Sequence, residues 1–215
     1  MEDPWIYYEE PRRSSVSRGR FSRTEIRDIL IAMLVLSVAF TAIMYRGSNL
    51  SNNEALNLLY IFGLSLVLVS TGFLLHELAH KFVAQRYGAW AEFRMYPMGL
   101  VMALMFSIMG FLFAAPGAVY IDGNINVKKN GIISVAGPLV NLIAGGIAFA
   151  VMFATDGLLS DIARMFAFFN VFLAFFNLLP IYPMDGSKIF KWNPPIYVCM
   201  MAIAVLGLLT LYGIF

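Results

Sequence analysis

"MGLVMALMFSIMGFLFAAPGA" occupies residues 98–118 and carries no charged side chain. A helix needs about 20 apolar residues to cross the hydrocarbon core of a bilayer, so this stretch is long enough to span. Whether it crosses, or enters and returns, decides the fold, because every later segment changes sides with it.

The surrounding composition sets the class. The chain has 215 residues, of which 60% are hydrophobic and 13% charged. Its mean hydropathy is +0.75. Soluble domains run nearer a quarter charged, so a large soluble domain is excluded. Apolar runs at 29–45, 56–83, 131–154, 162–179 and 195–215 each read as a membrane span. Before them, residues 1–28 form a polar arm containing "RRSSVSRGRFSR", expected to be disordered or to lie on the lipid surface through its arginines. No cleavable signal peptide is evident, and the first apolar run reads as a retained anchor. The sequon at Asn49 matters only in a eukaryotic secretory pathway. Cys199 has no second cysteine to pair with and reads as a packing or lipid-facing residue. Nothing points to a nucleic-acid partner, and the oligomeric state is left open.

Charge placement favours return over crossing. Basic residues collect on the cytoplasmic side of membrane proteins. If 98–118 is re-entrant and the arm cytoplasmic, the inner side holds the six arginines of the arm plus Lys81, Arg86, Arg94, Lys128, Lys129, Lys188 and Lys191. Only Arg46 and Arg164 lie outside, a division of 13 to 2. If the segment crosses, the division becomes 10 to 5. The expected architecture is a polytopic α-helical membrane protein with about five transmembrane helices and one re-entrant or β-hairpin segment; six spans is the alternative. "EFRMY" reads as a short strand. "VYIDGNINV" alternates around Asp122-Gly123, a strong hairpin signal, with strands at 119–121 and 124–127.

The chemistry is concentrated in "LLHELAH", residues 74–80. His76 and His80 stand four apart, so on a helix they share a face and can bind one Zn²⁺. Glu77 beside them suits a general base for water activated at such a metal. They are the only two histidines of the chain, and ionisable residues inside a membrane are usually functional. The competing reading is a polar patch snorkelling to the headgroups. Catalytic zinc sites use three protein ligands, so a third must come from Asp, Glu or Cys. Asp185 stands out. It follows "NLLPIYPM", whose Pro180 and Pro183 cannot continue a regular helix and would present Asp185 from an irregular segment. His76, His80 and Asp185 reach one metal only if 98–118 returns to its own side, in agreement with the charge division.

"HELAH" followed by Asn177, Pro180, Pro183, Asp185 and Gly186 resembles the site-2 protease family of intramembrane zinc metalloproteases. "GPLVN" at 137–141 is similar to a helix opening found between the two motifs in many members. The resemblance covers roughly residues 56–190 of a single membrane-embedded protease domain, 29–215. It implies His76, His80 and Asp185 as zinc ligands and Glu77 as the base, with one Zn²⁺ per chain. It also implies an embedded hairpin or re-entrant segment after the HExxH helix. The chain departs from the family in lacking a PDZ-like or CBS-like segment, and its re-entrant stretch is unusually rich in methionine, here read as packing.

The activity so implied is hydrolysis of a peptide bond within or near a transmembrane segment of a membrane-protein substrate. The location is the cell membrane, with N-terminus and active site toward the cytoplasm. The resemblance suggests a membrane-tethered regulator as the substrate type. Asn177 is a candidate for holding the oxyanion or substrate backbone, or for satisfying carbonyls freed by the prolines. Asn141 is a weaker candidate of the same kind and reads rather as a tie between helices. A substrate helix must unwind before it is cut, and an exposed strand can hold it extended. A metal-ion transporter and a catalytically inactive, helix-binding relative are the alternative functions.

Overall fold

The computed structural model describes residues 19–46, 54–111 and 115–213; the sequon and most of the basic arm lie outside them. Five helices are long and apolar enough to cross a membrane: α1 (Arg23–Arg46), α2 (Glu54–Arg86), α4 (Val127–Ala154), α5 (Gly157–Asn177) and α7 (Pro194–Leu211). Between α2 and α4 lie β1 (Trp90–Met95), the helix α3 (Pro97–Met109) and β2 (Gly117–Asp122). A short helix α6 (Asp185–Trp192) precedes α7. The chain is thus a polytopic helical membrane protein with a small two-stranded sheet.

The described residues of 98–118 leave the small sheet as α3 and rejoin it at β2. α3 has 13 residues, about 20 Å at 1.5 Å per residue, and is too short to span alone. β1 and β2, which flank the excursion, pair antiparallel with Met95 opposite Gly117. The Tyr96 N–H donates to the Pro116 carbonyl at 2.9 Å, so the chain leaves and rejoins at one place. At the other end of the excursion Arg46 donates to the Ile108 carbonyl, which sets its tip beside the far end of α1.

Two sequence expectations are corrected. The Asp122-Gly123 hairpin does not form. β2 takes its partner from 22 or more residues upstream, and Asn124–Val127 is not a strand. Asn126 instead caps α4, its side chain accepting from the Lys129 N–H at 2.9 Å. The boundary of the arm also shifts, because α1 starts at Arg23 inside the expected 1–28 segment. "SRTE" at 22–25 explains this as a helix-starting pattern, with Ser22 Oγ accepting from the Glu25 N–H at 3.1 Å.

Glu25 does more than start a helix. Its carboxylate is wholly buried, accepts from Lys81 Nζ at 2.6 Å and from the Phe93 N–H at 3.0 Å. Lys81, equally buried, lies 3.6 Å from the centre of the Phe21 ring. One ion pair therefore joins α1, β1 and the histidine-bearing end of α2. Around it Ala32, Leu36, Val69, Phe93, Leu100 and Ala103 form an apolar core shared by α1, α2, α3 and β1. A second core, from Met152, Ala163, Ala167, Val171 and Leu211, packs α4, α5 and α7.

α2 runs 33 residues, about 50 Å, with one π-turn at Ser70–Leu74. The motif histidines lie past its middle, close to the end bearing Lys81 and Arg86. That end meets the start of α4 and the end of α5, so the sheet, α6 and the histidines share one side. Single cysteines at Arg86→Cys and Lys128→Cys, in a Cys199→Ala background, should therefore label from one side of sealed vesicles, and Asp161→Cys from the other. Labelling of Arg86→Cys and Lys128→Cys from opposite sides would make 98–118 a span.

Candidate metal centre

The two histidines hold fixed orientations because each gives its Nδ1 to a backbone-anchored partner. His80 Nδ1 lies 2.7 Å from the Ile133 carbonyl, which can only accept. His76 Nδ1 lies 3.1 Å from Asn141 Oδ1. The orientation of Asn141 follows from its other end, where Nδ2 donates to the Gly72 carbonyl at 3.1 Å. Gly72 belongs to the π-turn of α2. Both imidazoles are thereby Nδ1–H tautomers and direct bare Nε2 lone pairs into one space.

Asp185 completes that space. The irregular segment after α5 contains Pro180 and Pro183, but Asp185, expected within that irregular segment, is the first residue of α6. Gly186 allows the close approach: a Cβ there would stand 2.0 Å from the Leu178 carbonyl oxygen. Asp185 Oδ2 lies 3.0 Å from His80 Nε2 and 3.4 Å from His76 Nε2. The two Nε2 atoms are 3.0 Å apart. Lys188 Nζ sits 3.4 Å from the other carboxylate oxygen of Asp185.

Three acceptor atoms with no donor among them converge here, and a cation is what such a set fits. A tetrahedral zinc with bonds of about 2.0–2.1 Å places its ligand atoms roughly 3.3 Å apart, close to the spacings observed. The room for it depends on Gly137. A Cβ at that position would lie 2.3 Å from His80 Nε2 and 2.5 Å from His76 Nε2. Nothing in the residue pattern of "GPLVN" disclosed that, and the role of Asn141 in orienting His76 was likewise missed in favour of a helix tie. It performs both.

Glu77 lies one residue from His76 and lines a cavity of about 370 Å³ with both histidines, Asp185, Asn177 and Lys188. Glu77 Oε2 accepts from the Val119 N–H of β2 at 3.1 Å. Phe73, Leu173, Phe176 and Met184 supply an apolar wall. Asn177 faces this cavity, but its Nδ2 donates to the Leu173 carbonyl of its own helix at 2.9 Å. The structure therefore brings His76, Glu77, His80 and Asp185 together and places Asn177 at the cavity wall.

Gly137→Ala should lower zinc content sharply in protein that remains folded, measured by elemental analysis after gel filtration. Asn141→Ala should weaken zinc binding about 10- to 100-fold in a chelator competition, because His76 loses its orienting partner.

Comparison with known proteins bears on the same point. A protein of Methanocaldococcus jannaschii named "Putative zinc metalloprotease MJ0611" is 41% identical over 182 residues, covering 83% of this chain and 89% of that protein. From the same organism, "Zinc metalloprotease MJ0392" is 27% identical over 169 residues, covering 78% of this chain and 43% of its own length. "Putative zinc metalloprotease YwhC" of Bacillus subtilis is 31% identical over 142 residues, covering 55% of this chain. No family model and no solved structure matches the chain. Identity at the level of the first relative, sustained across most of both lengths, means that the chain belongs to a family of zinc metalloproteases.

Proposed function

We propose that this chain is an intramembrane zinc endopeptidase of the site-2 protease type, cutting a transmembrane protein within or near its membrane segment. The observation that carries the reading is the convergence of His76, His80 and Asp185 with Glu77 beside a part-apolar cavity, at one end of membrane-length helices. A soluble metalloprotease has no need of five such helices. The basic residues of that end, Lys81, Arg86, Lys128 and Lys188 among them, support an orientation with the site toward the cytoplasm and the protein in the cell membrane.

His76, His80 and Asp185 would hold the zinc, with Nε2, Nε2 and Oδ2 as donors. Zinc at such a site supplies Lewis acidity, activating water at neutral pH and polarising a carbonyl. Glu77 takes one proton from the attacking water and delivers it to the leaving amine nitrogen. The water oxygen bonds to the carbonyl carbon as the C–N bond breaks, yielding a carboxylic acid and an amine, which become carboxylate and ammonium when the second proton also passes to the nitrogen. Asn177 and Lys188 stand at the cavity wall as donors for the carbonyl oxygen or the substrate backbone. The apolar wall of Phe73, Leu173, Phe176 and Met184 suits side chains drawn from a membrane segment and limits stray water.

The substrate must reach this cavity unwound, because a helix hides its carbonyls. β2 borders the cavity through Gly117, Val119 and Ile121 and offers an edge to which an extended peptide can add as a strand.

Purified wild type should contain about one zinc per chain and cleave a single-span membrane substrate in detergent. Glu77→Gln should keep the zinc and lose about 10²- to 10⁴-fold in cleavage rate, the usual contribution of a positioned base. Zinc without cleavage in wild type would favour a helix-binding relative. Zinc flux through the protein in liposomes would favour a transporter. Undiminished cleavage by Glu77→Gln would sink the assignment of the base.

A further inference from the structure

The cavity beside the histidines is not lined alike throughout. Phe73, Leu173, Phe176 and Met184 make it apolar on one part, while Asn130, Ser134 and Lys188 supply polar groups on another. The packing of α4 on α6 gathers these three. The two helices run antiparallel. Gly131 lies against Trp192, where a Cβ would stand 2.4 Å from the tryptophan Cβ, and Gly137 lies against the histidine Nε2 atoms that Asp185 also meets. Ser134 falls about midway between the two glycines on α4, and Lys188 about midway between Asp185 and Trp192 on α6.

Lys188 has capacity to bind something more. Its side chain is 33% exposed, and an ammonium carries three donors. Among the described residues its side chain meets Asp185 Oδ1 at 3.4 Å, longer than the roughly 2.7–2.9 Å of a close charge-assisted bond. The formal charges lining the cavity, outside the histidines, are those of Glu77, Asp185 and Lys188. A divalent cation among His76, His80 and Asp185 offsets the two carboxylates, and the charge of Lys188 is then unbalanced.

β2 gives the cavity a direction. Gly117, at its start, packs on Phe93, whose ring centre is 5.6 Å from that of Phe73. Ile121, near its end, packs on a core that includes Ile133, the neighbour of Ser134 in α4. An extended chain along this strand therefore has the apolar wall at one end and the polar group at the other.

We propose that Lys188, flanked by Asn130 and Ser134, forms a subsite for an acidic side chain of the substrate, within about two extended residues of the scissile bond on the flank that leaves the membrane. The proposal rests on the protease reading above and names what that protease selects. The short distance follows from Lys188 standing one helix turn from Asp185. A carboxylate there can accept from the ammonium, the Asn130 amide and the Ser134 hydroxyl. A lysine or arginine in its place meets like charge. Membrane proteins gather Lys and Arg on their cytoplasmic flanks, so a site that takes Asp or Glu at this point passes over most membrane segments. Selection then comes from repulsion as well as attraction.

The test uses full-length, zinc-loaded protein in detergent and amidated, quenched fluorogenic peptides. They differ only in carrying Asp, Asn or Lys at one position near the cut, scanned along both flanks. At a position on one flank, kcat/KM should be about five- to tenfold higher for Asp than for Asn, and lower again by about as much for Lys. Lys188→Gln should bring Asp and Asn together, and zinc-bearing Lys188→Glu should invert the order at that position alone. Zinc-bearing Glu77→Gln should bind the Asp peptide about five- to tenfold more tightly than the Asn peptide in fluorescence anisotropy. Equal values for Asp, Asn and Lys at every position in wild type would overturn the subsite. So would a zinc-bearing Lys188→Gln that slows all peptides by one factor and keeps their ratios, since Lys188 would then act on the scissile carbonyl or on Asp185. If Lys188→Glu fails to fold or to hold zinc, Lys188→Gln decides. No cleavage of any peptide by zinc-loaded wild type would overturn the protease reading, and the anisotropy ratio would still decide whether the cavity selects an acidic side chain.

Discussion

Two imidazole nitrogens and one carboxylate oxygen, all acceptors, stand 3.0–3.4 Å apart in a largely buried site. Lone pairs so placed repel one another unless a cation lies among them, so the arrangement must be enforced from outside. Much of the fold can be understood as that enforcement. The Ile133 carbonyl and Asn141 set the two ring orientations, and both come from α4. Gly137, from the same helix, leaves the space. The return of residues 98–118 to their starting side puts α4, and after it α6, where they can do this. Had that stretch crossed, Asp185 would have emerged at the opposite face from His76 and His80.

The contacts that hold the histidine-bearing end of α2 extend to the start of the described chain. Glu25, just over fifty residues before the first histidine, pairs with Lys81, the residue after His80, and also accepts from β1. The sheet is thereby pinned to the histidine-bearing helix, and the Val119 N–H of β2 meets Glu77. The His76, His80 and Asp185 cluster, Glu77 and the β2 edge share one frame. The exposed side chains of α3, with Met105, Ile108 and Met109 facing outward, leave this frame surrounded by apolar surface suited to lipid.

What the sequence disclosed was local, and what it concealed was long-range. The four-residue spacing of His76 and His80 is a property of one helix turn and was legible. Asp185 was found because few acidic residues stand in apolar surroundings. The Asp122-Gly123 hairpin misled because turn chemistry is a weak local preference; the strand Trp90–Met95, capped along its far edge by Glu25, Asp28 and Gln85, was the stronger partner for β2. Asn141 and Gly137 were visible as a motif, but their tasks depend on contacts more than fifty residues distant in sequence. No window along the chain contains both ends of such a contact.

The central claim is that His76, His80 and Asp185 bind one zinc. X-ray absorption at the zinc edge of the purified protein measures this directly. The account predicts two imidazole nitrogens and oxygen donors at about 2.0–2.2 Å, no sulfur, and loss of the signal in Asp185→Ala. A sulfur shell near 2.3 Å, or zinc bound equally well after Asp185→Ala, would contradict it.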